Sequence, residues 1–233
     1  MMTDIFSSFD PATSNIHYLS PSFFWLMTFI SMSTIAASIW ALPSRMSWVP
    51  FIPSSMMNEQ TSRTFSVHLK GLTLILTSLF LILISLNMLG LLPYVFSTSG
   101  HLFFTLSFGL PLWLSLILSG AMHNPKAFTA HFLPSGAPDW LNPFLVLIET
   151  VSISVRFITL SFRLAANITA GHIVLGLMGI YASSALMSSL SSSITLLSIQ
   201  AFFTAFEIGV GLIQAYIFCL LLTLYSEDHP SSS

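Results

Sequence analysis

From Asn142 to about Tyr181 the chain contains no proline after Pro143, and it reads as one helix. Helical throughout, the segment would be about 60 Å long, twice the hydrocarbon core of a bilayer. It must then be strongly tilted, broken or partly outside the membrane, and length alone does not set the tilt. That the surroundings are lipid follows from composition. Of 233 residues, 54% are hydrophobic and 6% charged, with a mean hydropathy of +0.86. A soluble domain carries about 25% charged residues, enough to cover its surface, so this chain reads as an integral membrane protein. The net charge of −2 and the lack of a basic run leave no electrostatic footprint for nucleic acid.

Apolar length divides the chain into one membrane domain, 1–233, with recognisable parts. A first span covers 21–42, after an N-terminal segment over 1–20, and is closed by Pro43. Residues 43–70 are mixed and proline-punctuated and form a loop or an interfacial segment. A transmembrane hairpin follows over 71–121, its two spans joined by a short turn around Ser97 to Gly100. A second loop, 122–141, carries Lys126, Asp139, three prolines and two histidines. The long segment from Asn142 and a last apolar stretch, Ile194 to Tyr225, then make a helical hairpin over 142–225, with a tail over 226–233. Between its arms lies SSALMSSLSSS, a serine-dense connector that favours a turn. Lys and Arg outside the spans occur only in the two loops, which this topology puts on one side. The positive-inside rule makes that side the cytoplasm or matrix, with the N-terminus on the other.

Arg163 lies deep in the long helix, with no other charge within six residues on either side. A guanidinium at that depth costs roughly 2.5 to 3.5 kcal/mol on insertion scales, and arginine cannot shed its proton to escape. Glu149, Arg156 and Arg163 are spaced by seven, which keeps them within about 40° of one helix face, and Asn167 joins the stripe. Such a stripe must face protein or water. His172 falls nearer the opposite side of an ideal helix. On the last helix Glu207 and Gln214 share a face, again seven apart.

Residues level with each other in an antiparallel pair have a constant sum of residue numbers. Arg163 with Gln214 and His172 with Glu207 both put the turn near residue 189, inside the serine cluster. Small residues, Ala166 and Ala170 on one helix and Ala201, Ala205 and Gly209 on the other, recur at spacings that permit close helix approach.

Plainer roles stand beside these. Arg163 could serve assembly by pairing with a carboxylate, Arg156 could be purely structural, Glu149 could be an interfacial charge, and His172 could bond a helix carbonyl. His172 and Glu207 could hold a metal ion, but two ligands make a weak site. The lone Cys219, inside IFCLLL, reads as a small buried or lipid-facing hydrophobe. The Asn167-Ile168-Thr169 sequon is discounted because it lies at membrane depth. There is no GxxxxGK[ST] loop, GxSxG elbow or HExxH pair, so no self-contained hydrolytic chemistry and no cofactor is indicated. The constellation suits a proton path. A secondary transporter or ion channel subunit using intramembrane Arg, Glu and His is the alternative; its expected internal repeats are not found in the sequence.

The runs LIETVSISVR (147–156), SFRLAANITAGH (161–172) and AFEIGVGLIQAYIF (205–218) resemble the subunit a family of the F-type ATP synthase, in its mitochondrially encoded form. NMLGLLPY (87–94) and the N-terminal IFSSFDP fit as well, so the resemblance covers essentially the whole chain. It implies an all-α integral membrane protein of about five to six helices, ending in a long, tilted, membrane-embedded hairpin. It further implies a non-catalytic stator in the mitochondrial inner membrane, packed against a rotating c-ring and neighbouring membrane and peripheral-stalk subunits, with lipid around it and protons as the transported ion. By the same resemblance, Arg163 holds an ionised ring carboxylate and blocks a direct leak. His172 and Glu207 match an outer half-channel, Glu149 an inner one, and Asn167 and Gln214 are polar neighbours of the arginine. Many mitochondrial members have proline directly after the position of Arg156; here Phe157 stands there, which leaves open any kink and any channel-lining role for Arg156.

Overall fold

A computed structural model of the chain describes residues 48–92, 95–132 and 139–227, with Phe9, Ser22, Trp25, Leu26, Arg45 and His229. The N-terminal segment, the span expected over 21–42 and most of the tail lie outside the described residues. Those described form helices and connecting turns, with no strand. The helices are α1 (Trp48–Ser62), α2 (Leu72–Gly90), α3 (Leu102–His123), α4 (Pro125–His131), α5 (Asn142–Ser188) and α6 (Leu190–Glu227). Of these, α2, α3, α5 and α6 are long and apolar enough to cross a membrane.

Each boundary has a local cause. α2 begins after Gly71, whose φ of 84° is left-handed and suits a residue without a Cβ. Pro125 follows an Asn124 cap whose side chain accepts from the Ala127 N–H, at 3.3 Å, to start α4. α5 opens on Asn142-Pro143, with proline at a position where a missing N–H costs nothing. It then runs unbroken for 47 residues, about 70 Å. Of the expected alternatives of tilt, break or extension beyond the core, a break is therefore not used.

The serine cluster behaves differently from the expected turn. Only Ser189 leaves the helical region, at φ −159° and ψ 137°, and α6 starts at the next residue. Its neighbours stay helical by turning their hydroxyls back onto carbonyls one turn earlier, Ser183 to Ile180 at 2.8 Å and Ser193 to Leu190 at 2.7 Å. The joint nevertheless falls at the residue number that the hairpin sums give.

α5 and α6 make the most extensive packing in the chain, with α3 laid along α5, α2 along α6, and α1 against α2. α2 and α3 are thus connected as a hairpin but not packed as one, because α5 and α6 offer each a better partner. The core lies where α1, α2, α5 and α6 converge, with Met57, Leu76, Leu83, Leu164, Phe218 and Leu222 almost fully buried. On α6 the buried positions Glu207, Gly211, Gln214, Phe218 and Leu222 recur every three or four residues, the spacing of one helix face. Within loop 43–70, α1 turns Trp48, Val49, Phe51, Ile52 and Met56 outward while Met57 and Thr61 face the core.

Candidate functional site

The polar residues of α5 fall into two groups separated by Arg163. In the first, Arg156 and Glu149 form an ion pair at 3.6 Å, each side chain about a third exposed, at 35% and 36%. Seven residues is two turns, so the expected shared face is what lets these side chains meet. The Arg156 guanidinium also lies 5.7 Å from the ring centre of Tyr225 on α6, within cation–π reach. The pair borders a cavity of about 90 Å³ that Trp113, Phe128, Tyr225 and His229 help to line. That is room for a few water molecules. At the position after Arg156, Phe157 continues the helix and packs against Trp113, ring centres 4.6 Å apart.

The second group is built from both long helices. The Asn167 amide N–H donates to the Gln214 side-chain oxygen at 2.9 Å. The simple register made Arg163 level with Gln214; the observed partner is one turn further along α5. Glu207 is buried, at 4% exposure, with its carboxyl against the backbone of Gly171. A Cβ at Gly171 would lie 2.0 Å from a Glu207 carboxyl oxygen, so this niche exists only because residue 171 is glycine. His172, the next residue, turns toward Gly90 at the end of α2 and packs edge-on against the Phe9 ring, 6.1 Å between centres. His172 and Glu207 are level, as the register requires, but no ion pair joins them. Among the described residues no three His, Cys, Asp or Glu side chains come together as metal ligands.

Arg163 stands between the groups, exposed, and among the described residues no side chain or backbone group pairs with it. Ala166 and Ala170 continue its exposed face. The small residues of α6 are also turned away from α5: Ala201 and Ala205 are exposed, and nothing comes within 4 Å of a Cβ placed on Gly209. The small-residue rows therefore do not hold α5 to α6; among the described residues they lie on open surface. Cys219 is fully buried, with its sulfur 3.8 Å from the Leu76 carbonyl.

Two contributors escape a reading of charge alone. Gly171 makes the Glu207 niche, visible only once two helices are docked. Asn87 on α2 is fully buried and donates to the Gly211 carbonyl of α6 at 3.0 Å. A lone amide in an apolar 19-residue helix is the signal that singles it out.

Comparison with known proteins bears on the whole chain. The family described as ATP synthase A chain matches residues 19–227. ATP synthase subunit a of Locusta migratoria is 40% identical over 235 residues, covering 98% of this chain and 99% of the relative. The Anopheles gambiae protein of the same name is also 40% identical, over 233 residues with the same coverage. ATP synthase F(0) complex subunit a of Rhopalosiphum padi is 34% identical over 229 residues, 98% of this chain and all of the relative.

Proposed function

Because this chain belongs to the ATP synthase subunit a family, we propose that it is the proton-translocating stator subunit of the F-type enzyme. It catalyses nothing alone; it forms two offset half-channels against a rotating c-ring and couples proton flow to rotation and ATP synthesis. Its site is the mitochondrial inner membrane, with the N-terminus on the intermembrane-space side by the distribution of Lys and Arg.

The observation that carries this reading is Arg163. It is a permanent cation on an apolar helix, exposed on a face flanked by Ala166 and Ala170, and among the described residues no carboxylate reaches it. At membrane depth such a charge needs a counter-charge from outside the chain. The small residues leave room for another helix to approach, and a c-ring helix bearing one carboxylate fits both needs.

The mechanism follows from what lies on either side. Along α5, Glu149 is about 21 Å from Arg163, and His172 about 13 Å away in the other direction. His172, Glu207, Gln214 and Asn167 form the half-channel through which a proton reaches the ring. Glu149, beside its water-sized cavity with Arg156, belongs to the half-channel through which it leaves. Arg163 repels protons from the direct route and attracts each ring carboxylate once it ionises. A proton crossing releases about 2.3 kcal/mol per 100 mV, available as work only while that route is closed. Lysine could deprotonate when buried and would guard it less well. Peripheral-stalk and other membrane subunits hold the stator against the ring's torque, and lipid covers the remaining apolar faces.

The test is proton pumping and ATP hydrolysis in membranes carrying Arg163→Ala, with assembly followed on native gels. Full assembly with pumping abolished is expected. Full assembly with normal pumping would overturn the reading.

A further inference from the structure

Two imidazoles meet where α3 ends and α6 has just ended. His123 is in the last turn of α3, and His229 lies two residues past Glu227, the end of α6. Their ring centres are 5.8 Å apart, with the planes inclined at 60°. Two imidazoles sharing one metal ion, each through a nitrogen roughly 2.0 to 2.1 Å from it, have ring centres about 5 to 6 Å apart. The pair therefore stands at the spacing that a shared ion requires.

The surroundings suit a cation. The His229 ring stacks on Phe65, ring centres 6.4 Å apart and planes 20° from parallel, while its backbone N–H donates to the Ser226 carbonyl at 3.3 Å. These contacts orient the imidazole, as supporting residues do for metal ligands. Its Nδ1 is buried and has no hydrogen-bond partner among the described residues, and a buried polar atom normally has one. His123 ends a 22-residue helix, whose carbonyl end favours positive charge. His229 also lines the cavity of about 90 Å³ that Glu149 and Arg156 border. That cavity has room for water to fill coordination positions the imidazoles leave open.

We propose that His123 and His229 form a binding site for a divalent transition-metal ion such as Zn²⁺, and that the bound ion closes the cavity beside Glu149 to protons. Neutral imidazole suits Zn²⁺, Cu²⁺ and Ni²⁺, whereas Mg²⁺ and Ca²⁺ take oxygen ligands. With two protein ligands the ion is held weakly and reversibly, so the site regulates flux and does not staple the fold. Water in the cavity becomes fixed to the ion, and a second cation near Arg156 repels protons from the route. This rests on the assignment of Glu149 to the exit half-channel and gives that half-channel an inhibitory ligand.

Inside-out vesicles carrying the fully assembled enzyme test it, with buffered Zn²⁺ added to the exposed inner face and ATP hydrolysis followed as a control. Proton flux in the parent should fall about tenfold or more and return when EDTA is added. His123→Gln and His229→Gln, each compared with its own metal-free flux, should raise the Zn²⁺ needed for half-block at least tenfold. Loss of a residue that merely supports a ligand already costs about ten- to hundredfold in affinity. His68→Gln, whose ring packs on Phe65 at 5.0 Å, should leave the Zn²⁺ response as in the parent. If His229→Gln does not assemble, His123→Gln, at an exposed helix end, decides. Cu²⁺ bound in place of Zn²⁺ should show the spectroscopic signature of two imidazole nitrogens, lost in either variant. A parent indifferent to Zn²⁺ and without that signature, or a block that persists in both variants, would overturn the site alone. Cu²⁺ held by both imidazoles with flux unchanged would instead overturn the placing of the Glu149 cavity on the exit route.

Discussion

The two polar groups on α5 solve opposite problems. Around Glu149 and Arg156, opposite charges face each other, a third exposed, beside an open cavity and an aromatic ring. Around Asn167 to His172 the contacts are between neutral amides, a lone carboxyl is lodged against a glycine backbone, and several buried atoms have no protein partner. The first arrangement is forgiving, since a solvated ion pair contributes little and either partner can be served by water. The second depends on shape, because a small displacement of one buried group leaves others unpaired. One helix therefore carries a tolerant polar end and an exacting one, with Arg163 between them.

The contrast is testable at graded depth. Glu207→Gln removes the carboxyl buried in the exacting end, and pumping should fall on the order of a hundredfold with assembly intact. A fall of less than twofold would erase the distinction. Gly171→Ala puts a methyl where the Glu207 carboxyl sits. Because the obstructed atoms are the far end of a flexible side chain, the complex should assemble normally while pumping drops about three- to tenfold. Adding Glu207→Asp, a shorter carboxyl, should restore part of that loss, and no restoration would argue against the niche. At the tolerant end Arg156→Gln should change pumping less than about threefold and thermal stability by under about 1 kcal/mol. A complete loss of pumping there would show that Arg156 acts on protons directly. The smallest effect belongs to Gly71→Ala, outside both groups, where the left-handed φ should cost about 1 kcal/mol of stability and leave proton flux unchanged.

Much of this was legible in the sequence because membrane helices announce themselves by length. α2 begins and α3 ends within two residues of 71 and 121, whereas α5 continues seven residues past Tyr181 and α6 begins four before Ile194; the joint at Ser189 follows from two pairs of polar residues and a little arithmetic. The departures share a cause. Asn167 rather than Arg163 meets Gln214, and α2 packs on α6 rather than α3. Each depends on rotation of one helix about its axis relative to another, and sequence spacing gives periodicity along one helix only. The roles of Gly171 and Asn87 were hidden for a related reason: a missing Cβ and a neutral amide carry no charge to draw notice, and their importance lies in what a neighbouring helix places against them.

The single-residue joint at Ser189 also governs where this chain can change in length. Asn167 lies 22 residues before it and Gln214 25 after it, with continuous helix on both sides. One residue inserted anywhere between Gly171 and Glu207 would turn everything beyond it by about 100° and slide it by about 1.5 Å. Asn167 would then lose Gln214, and Glu207 would lose its niche at Gly171, in the same event. A loop could absorb such an insertion, but here there is none to do so. Insertions and deletions should therefore be rejected across this stretch of the hairpin.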